Sequence, residues 1–363
     1  MSVMAVISVG LLLLSGYVWY TFRNIDGGVT RYKIAVGTGA QNNGRNIDGQ
    51  DQNILLVGND DRSTMSNSEM RQLHAGRDGG SLATDTMMIV HVPANGKKAT
   101  LISLPRDTYV KIAGHGMGKL NSAYADAYTT NGGSQNSKRL AAANMLLSTI
   151  STLTGLTIDH YIQVDLLGFY RISNAIGGVP VTLCSNVDDS LAANRQAGLP
   201  GGSGLKLSKG KHIIKGVQAL EFVRQRHFLP RGDLDRVRRQ QYFLTAAFRQ
   251  VASVGVVLKL RTLGSAVQRS VFLDQNLKLI DLAQQMEKLS ANNIVGKTIP
   301  TSPGKSTDGQ DILVAKPSKV KAFVDTVING PAKPTPGSSS SSKSSSTTPT
   351  ATTTKPVDSK CIN

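Results

Sequence analysis

Short apolar runs bounded by turn-forming residues hold this chain to a sheet-centred core. NILLVG (53–58) has the length and composition of a buried strand. TMMIVHV (86–92) turns through PANGKK into ATLISL (99–104), which reads as a hairpin. Helical spacing alternates with these runs. Ser137–Leu153 carries it, with Gly155 as its stop signal, and is followed by strand HYIQVD (160–165), a short helix over Leu166–Ala175 and strand VPVTL (179–183). Phe222–Arg226 reads as a further strand. Asp233 begins a helix with Val237, Leu244, Phe248 and Val251 on one face, and Leu277–Leu289 reads as another amphipathic helix. The expectation is an α/β fold: a single three-layer α-β-α sandwich with a mixed central sheet.

The flanks divide the chain into four parts. Val3–Phe22 is uncharged and long enough at about 1.5 Å per residue to span a bilayer, so residues 1–23 read as a transmembrane anchor. A cleavable signal peptide is the rival, set aside because the run is long and no small-x-small site follows it. Residues 24–51 form a polar linker, 52–330 the folded domain, and 331–363 a Ser/Thr/Pro-rich tail expected to be disordered. Arg23, Arg31 and Lys33 follow the span and argue for a cytoplasmic domain. Two features argue for export and outweigh that bias here. Cys184 and Cys361 are the only cysteines and suit a disulfide in an oxidising compartment, and the tail resembles exposed wall-spanning segments. The expected location is the cell membrane, single-pass, with the domain outside.

The net charge of +17 points to an anionic partner. Its densest part is EFVRQRHFLPRGDLDRVRRQQ (221–241), with six arginines against three acids. In an extended strand Arg224 and Arg226 project from one face, and in the following helix Arg236, Arg239 and Gln240 at i, i+3 and i+4 make a second polar surface. Guanidinium forks fit phosphate oxygens bidentately, whereas a solvated basic face is the plainer alternative. Asp60 and Asp61 follow the first strand, Asp85 opens the second, and Arg106 ends the third in SLPRDT. Each Asp taken singly is better explained as a turn or capping residue. Together with the arginines they fit Mg²⁺, with Mn²⁺ as the substitute, and metal-assisted phosphoryl transfer. Other chemistries lack their motifs: G-x-S-x-G, H-E-x-x-H and a P-loop lysine are all missing, and GTGAQN (37–42) is no dinucleotide fingerprint. His227 has two readings, a phosphate contact or a structural role.

From about Gln52 to about Ala252 the chain resembles the LytR-CpsA-Psr enzymes of Gram-positive cell envelopes. The matching stretches are LLVGNDDR (55–62), ATDTMMIV (83–90), SLPRDTYV (103–110), KLNSAYA (119–125), GLTIDHYIQVDLLGF (155–169), AIGGVPVTLC (175–184) and ALEFVRQRHFLPRGDLDRVRRQQ (219–241). The closing CIN, paired with Cys184, is similar to the actinobacterial members. The resemblance implies a membrane-anchored enzyme that moves a glycopolymer from a polyprenyl-pyrophosphate lipid to a peptidoglycan hydroxyl through a phosphodiester, with pyrophosphatase as a side activity. It also implies roles: Asp60 and Asp85 for the metal, Arg106, Arg224 and Arg226 for the pyrophosphate, and Gln240 within the catalytic motif. Arg62, Lys119, Asn121, Asp233, Arg236 and Arg239 complete the substrate-binding set. Two departures stand out: GNDDR replaces the commoner GSDSR, and ATDT lacks the usual basic residue before its Asp, for which Arg77 is the candidate replacement. The acceptor's proton goes to Asp60, Asp85 or Asp233, and the lipid tail to a groove along HYIQVDLLGFY with Phe243 and Phe248. Two rival classes are a transcriptional attenuator and a non-catalytic wall-binding adaptor; no nucleic-acid partner is expected.

Overall fold

A computed structural model describes residues 30–37, 50–253, 271–278, 282, 293–330 and 361–362, apart from 64, 74, 76–79, 96–97 and 200. The expected span over Val3–Phe22, most of the linker and tail, Arg77, and most of the helix expected over Leu277–Leu289 lie outside the described residues. Among the described residues no helix is long and apolar enough to cross a membrane.

In chain order the strands are β1 Thr30–Tyr32, β2 Gln52–Asp61, β3 Gly80–Val92, β4 Ala99–Ser103, β5 Thr108–Ile112, β6 Gly116–Lys119, β7 His160–Val164, β8 Val179–Leu183, β9 Val187–Asp188, β10 Lys206–Leu207, β11 Gly210–Ile214, β12 Val271–Asp274, β13 Ile294–Thr298, β14 Ser302–Lys305 and β15 Asp311–Val314. The helices are α1 Asn67–Gln72, α2 Ser122–Thr130, α3 Gln135–Thr154, α4 Leu166–Ala175, α5 Leu191–Gln196, α6 Gly216–Arg224, α7 Asp233–Ser253 and α8 Pro317–Asn329. Seven strands form the main sheet in the order β1-β12-β7-β2-β3-β4-β13. It is mixed: β2 runs antiparallel to β3 and parallel to β7, and β13 runs parallel to β4.

The two-residue period of a strand sorts the core into two sides. Leu55, Val57, Met87, Ile89 and Ile102 pack on one side beneath Leu146 and Ile150 of α3 and Val320 and Val324 of α8. Their alternates Ile54, Met88, Val90 and Leu101 pack on the other, against Leu244 and Phe248 of α7. Helices therefore cover both faces, as the sequence leads one to expect. Local signals fix α3. The Ser134 hydroxyl accepts a hydrogen bond from the Ser137 N–H at 3.2 Å, and Gly155 ends the helix at φ 76°, a left-handed conformation that glycine adopts without steric cost. A second core lies beside the sheet, where α6, α7 and the antiparallel pair β8 and β11 enclose Phe222, Phe243 and Ile362. Cys184 and Cys361 are joined by a disulfide with Cα atoms 5.2 Å apart, and Ile362 bridges to Leu183.

Two expectations are corrected. Phe222–Arg226 is not a strand: Arg224 closes helix α6, and Gln225 beyond it is extended. The helical period starts earlier, with Ala219, Phe222 and Val223 facing the second core and Val217 and Leu220 facing α4. Second, Asp60 and Asp85 lie within strands rather than beside them. β2 runs on through register shifts at Gly58/Asn59 and Asn59/Asp60, and β3 begins at Gly80, six residues before TMMIVHV. The plainer alternative for the basic stripe of α7, a solvated face, does not describe Arg236 and Arg239, which are buried.

Candidate active site

A cavity of about 650 Å³ lies where the α7 face of the sheet meets α4, α6 and α7. Its wall has two characters. Leu56, Ile162, Phe169, Phe243, Leu244 and Phe248 belong to its apolar part, with Phe169 and Phe243 ring centroids 5.1 Å apart. Asp60, Asp85, Arg224, Arg226, Arg236 and Gln240 line it as well, joined by Arg62 and His227. A long apolar chain and a multiply charged head group could thus share one enclosure.

β2 explains why only one of two neighbouring aspartates takes part. Asp60 lines the cavity, and Arg62 Nε donates to its Oδ1 at 2.9 Å. Asp61 points to the other side of the strand, where it accepts from Arg139 Nη2 of α3 at 3.1 Å and from the Ser63 N–H. Of the two, only Asp60 lines the cavity. On β3, Asp85 accepts from Arg106 Nη1 at 2.7 Å.

Of the remaining expected residues, Arg106, Lys119, Asn121 and Arg239 are not part of the cavity wall. Arg106 stands behind it, holding Asp85 and lying 3.6 Å from Asp107, which in turn is 3.3 Å from Lys119 Nζ. Asn121 acts through its backbone, donating to Arg106 O and accepting from the Thr84 N–H one residue before Asp85. Arg239 is fully buried and lies 4.8 Å over the Phe222 ring. Burial pulls its guanidinium down to about 10 while Asp189 and Asp235 oppose that shift, so it stays protonated at neutral pH. Asp233 begins α7, but its side chain lies outside the described residues.

Two features escape a reading of the sequence. Asn59 lines the cavity while only 6% exposed, and neither its Oδ1 nor its Nδ2 has a hydrogen-bond partner among the described residues. A buried amide facing a cavity this way calls for a ligand to satisfy it. The second is Asp189, a fully buried residue of the cavity wall, which accepts from the Ser203 N–H at 3.0 Å, Asn194 Nδ2 at 3.1 Å and His227 Nδ1 at 2.9 Å. Burial alone would raise its carboxyl, but these hydrogen bonds outweigh burial and hold it below the usual range. Gly202 makes the nest tight: a Cβ there would come 2.0 Å from Asn194 Nδ2 and 2.0 Å from Asp189 O.

The wall also fits a divalent ion. Mg²⁺ takes oxygen ligands and is commonly held by one or two carboxylates that leave positions for phosphate. Asp60, Asp85 and the unpaired Oδ1 of Asn59 supply such a set. Among the described residues no group of three or more His, Cys, Asp or Glu gathers to hold a metal without help.

The family model described as "LytR_cpsA_psr family" matches residues 21–328. The cell wall biosynthesis protein LcpA of Corynebacterium glutamicum is 36% identical over 92% of this chain and 66% of its own length. The polyisoprenyl-teichoic acid–peptidoglycan teichoic acid transferase TagU of Oceanobacillus iheyensis is 33% identical over 61% of this chain and 60% of its own. The chain thus spans just under two thirds of either relative. Protein gbs0355 of Streptococcus agalactiae shares the fold at a TM-score of 0.60 and 24% identity, covering 79% of this chain and 90% of that one. With the family model matched across all but the two ends, the chain belongs to the LytR_cpsA_psr family.

Proposed function

We propose that this chain transfers a glycopolymer from a polyprenyl-pyrophosphate lipid to a peptidoglycan hydroxyl, leaving a phosphodiester link and releasing polyprenyl phosphate. One observation carries the reading: a single cavity combines an apolar wall with clustered arginines and two aspartates. The similarity to a polyisoprenyl-teichoic acid–peptidoglycan transferase supports the substrate class, and the uncharged run Val3–Phe22 supports an anchored domain outside the membrane that meets a lipid carrier where it resides.

In this reading the lipid lies along Phe169, Leu244 and Phe248, and its diphosphate meets Arg224, Arg226 and Arg236. These fixed cations neutralise the ground state and the charge gathering on the departing phosphate, the main requirement of phosphoryl transfer. Arg62 and Arg106 hold the two aspartates in place. Asp60 and Asp85, with Asn59 Oδ1, would hold Mg²⁺ or Mn²⁺, which supplies further charge neutralisation at the phosphate oxygens. Gln240, 8% exposed and in the wall, orients a phosphate or sugar oxygen. Without an acceptor, water in its place gives the pyrophosphatase side reaction.

The test is release of lipid phosphate by the purified chain from a farnesyl diphosphate carrying one N-acetylglucosamine, with a soluble peptidoglycan fragment as acceptor. Asp85→Ala and Arg224→Ala should each lower turnover by about 100-fold or more. Wild-type turnover in both would refute the assignment.

A further inference from the structure

The cavity holds arginines, carboxylates and amides, but a phosphoryl transfer to a hydroxyl also needs a group that accepts the hydroxyl's proton. Asp60 and Asp85 already have oxygens occupied by guanidinium donors, Asp60 by Arg62 and Asp85 by Arg106, so neither is a free acceptor aimed at a hydroxyl. His227 differs from them. It lines the same cavity between Arg226 and the turn into α7, and its Nδ1 is 2.9 Å from Asp189 Oδ1. Asp189 also accepts from Ser203 and Asn194, an arrangement that suits only an ionised, accepting carboxylate. The proton they share therefore sits on Nδ1, which leaves Nε2 as the nitrogen that can accept a proton. Nε2 has no hydrogen-bond partner among the described residues. A buried carboxylate fixing the tautomer of a half-buried imidazole at a cavity wall is the arrangement that makes histidine a general base.

We propose that His227 is the general base of the transfer and that Asp189 is its positioning residue, an inference that rests on the reading given under Proposed function. The acceptor's O–H proton passes to His227 Nε2 as its oxygen forms a bond to the glycan-bearing phosphorus. The bond from that phosphorus to the bridging oxygen breaks, and the lipid phosphate leaves with the electron pair. The imidazolium is held by Asp189 until it returns the proton to the lipid phosphate or to water. Two aspects of the loop serve this geometry. Gln225 Nε2 donates to His227 O at 2.9 Å, and the next residue, Phe228, is the only non-glycine residue at positive φ among the described residues, at 59°. An exposed phenylalanine held in that sparsely populated conformation fixes the direction in which the chain leaves His227.

The charged groups that share the cavity with the pair or act on Asp189 are Arg224 and Arg226 on its own segment, Arg236 and Arg239 on α7, and Asp60, Arg62 and Asp85 from the β2 and β3 side. Comparison of wild type with variants at His227 separates the imidazole from these groups.

The test compares wild type with His227→Gln, whose amide keeps a donor toward Asp189, and His227→Ala, in the full chain with the same farnesyl diphosphate substrate. Binding of that substrate should stay within about twofold. The transfer kcat should fall about 100-fold or more, and the acidic limb of the wild-type pH–rate profile should vanish in both variants. Added imidazole should restore part of the rate to His227→Ala only. Three results overturn the proposal: His227→Gln turning over like wild type, a lost rate with the acidic limb still in place, or a loss confined to substrate binding. Wild type that releases no lipid phosphate would instead refute the proposed function and this inference with it.

Discussion

At the scale of single residues, the cavity is organised by which side chain each cation holds. Arg62 and Arg106 hold Asp60 and Asp85 at the wall, Arg139 draws Asp61 to the opposite side of β2, and Arg231 closes the turn onto Asp235 through Nε at 2.9 Å. Asp189 gives a pH signature. Its folded-state pKa lies below the ordinary value, so its contribution to stability is complete above the unfolded-state pKa and is lost as pH falls through the lower folded value. Denaturation of wild type and Asp189→Asn from pH 7 to pH 3 should show the largest stability gap at neutral pH and a shrinking gap in acid. A gap independent of pH would mean that the hydrogen bonds at Asp189 do not favour its charge. Asp60, Asp85, Arg224 and Arg226 can be picked out from the sequence because they sit in short charged motifs beside apolar runs. Asn59 looks like one more turn residue there. The pairing of Asp189 with His227 joins positions 38 apart, and nothing local signals it.

At the scale of elements, strands with regular alternation and helices with clear stop signals are readable in advance. Leu166–Ala175 and Val179–Leu183 occur as expected, and α3 exceeds Ser137–Leu153 by two residues at its start and one at its end. Phe222–Arg226 fails because five residues holding Phe and Val fit either period, and only the residues back to Gly216 decide for a helix. The early start of β3 is hidden because GSLATD is polar and pairs with β2 across a shifted register. α3 is held mainly by packing, with Leu146 and Ile150 completely buried against the sheet. Leu146→Ala should therefore cost about 2–5 kcal/mol in urea denaturation. A loss below about 1 kcal/mol would show that α3 contributes little to the core.

At the scale of the whole molecule, two cores meet at the cavity, and the disulfide joins the end of the chain to the second of them. Cys184 and Cys361 lie 177 residues apart in sequence, and Ile362 is 4% exposed among Val181, Leu183 and Phe243. Cys361→Ser should lower stability by about 2–5 kcal/mol. A reductant should lower the melting temperature of wild type and leave that of the variant unchanged; equal sensitivity would contradict a structural role for the bond. The central claim, that one cavity receives both the diphosphate and the lipid tail, is tested most directly by a crystal structure of the full chain with a polyprenyl diphosphate bound. The account predicts both phosphorus atoms within reach of Arg224 and Arg226 and beside Asp60 and Asp85, with the prenyl chain running along Phe169, Leu244 and Phe248. A diphosphate bound away from these arginines, or a prenyl chain lying outside the cavity, would contradict it.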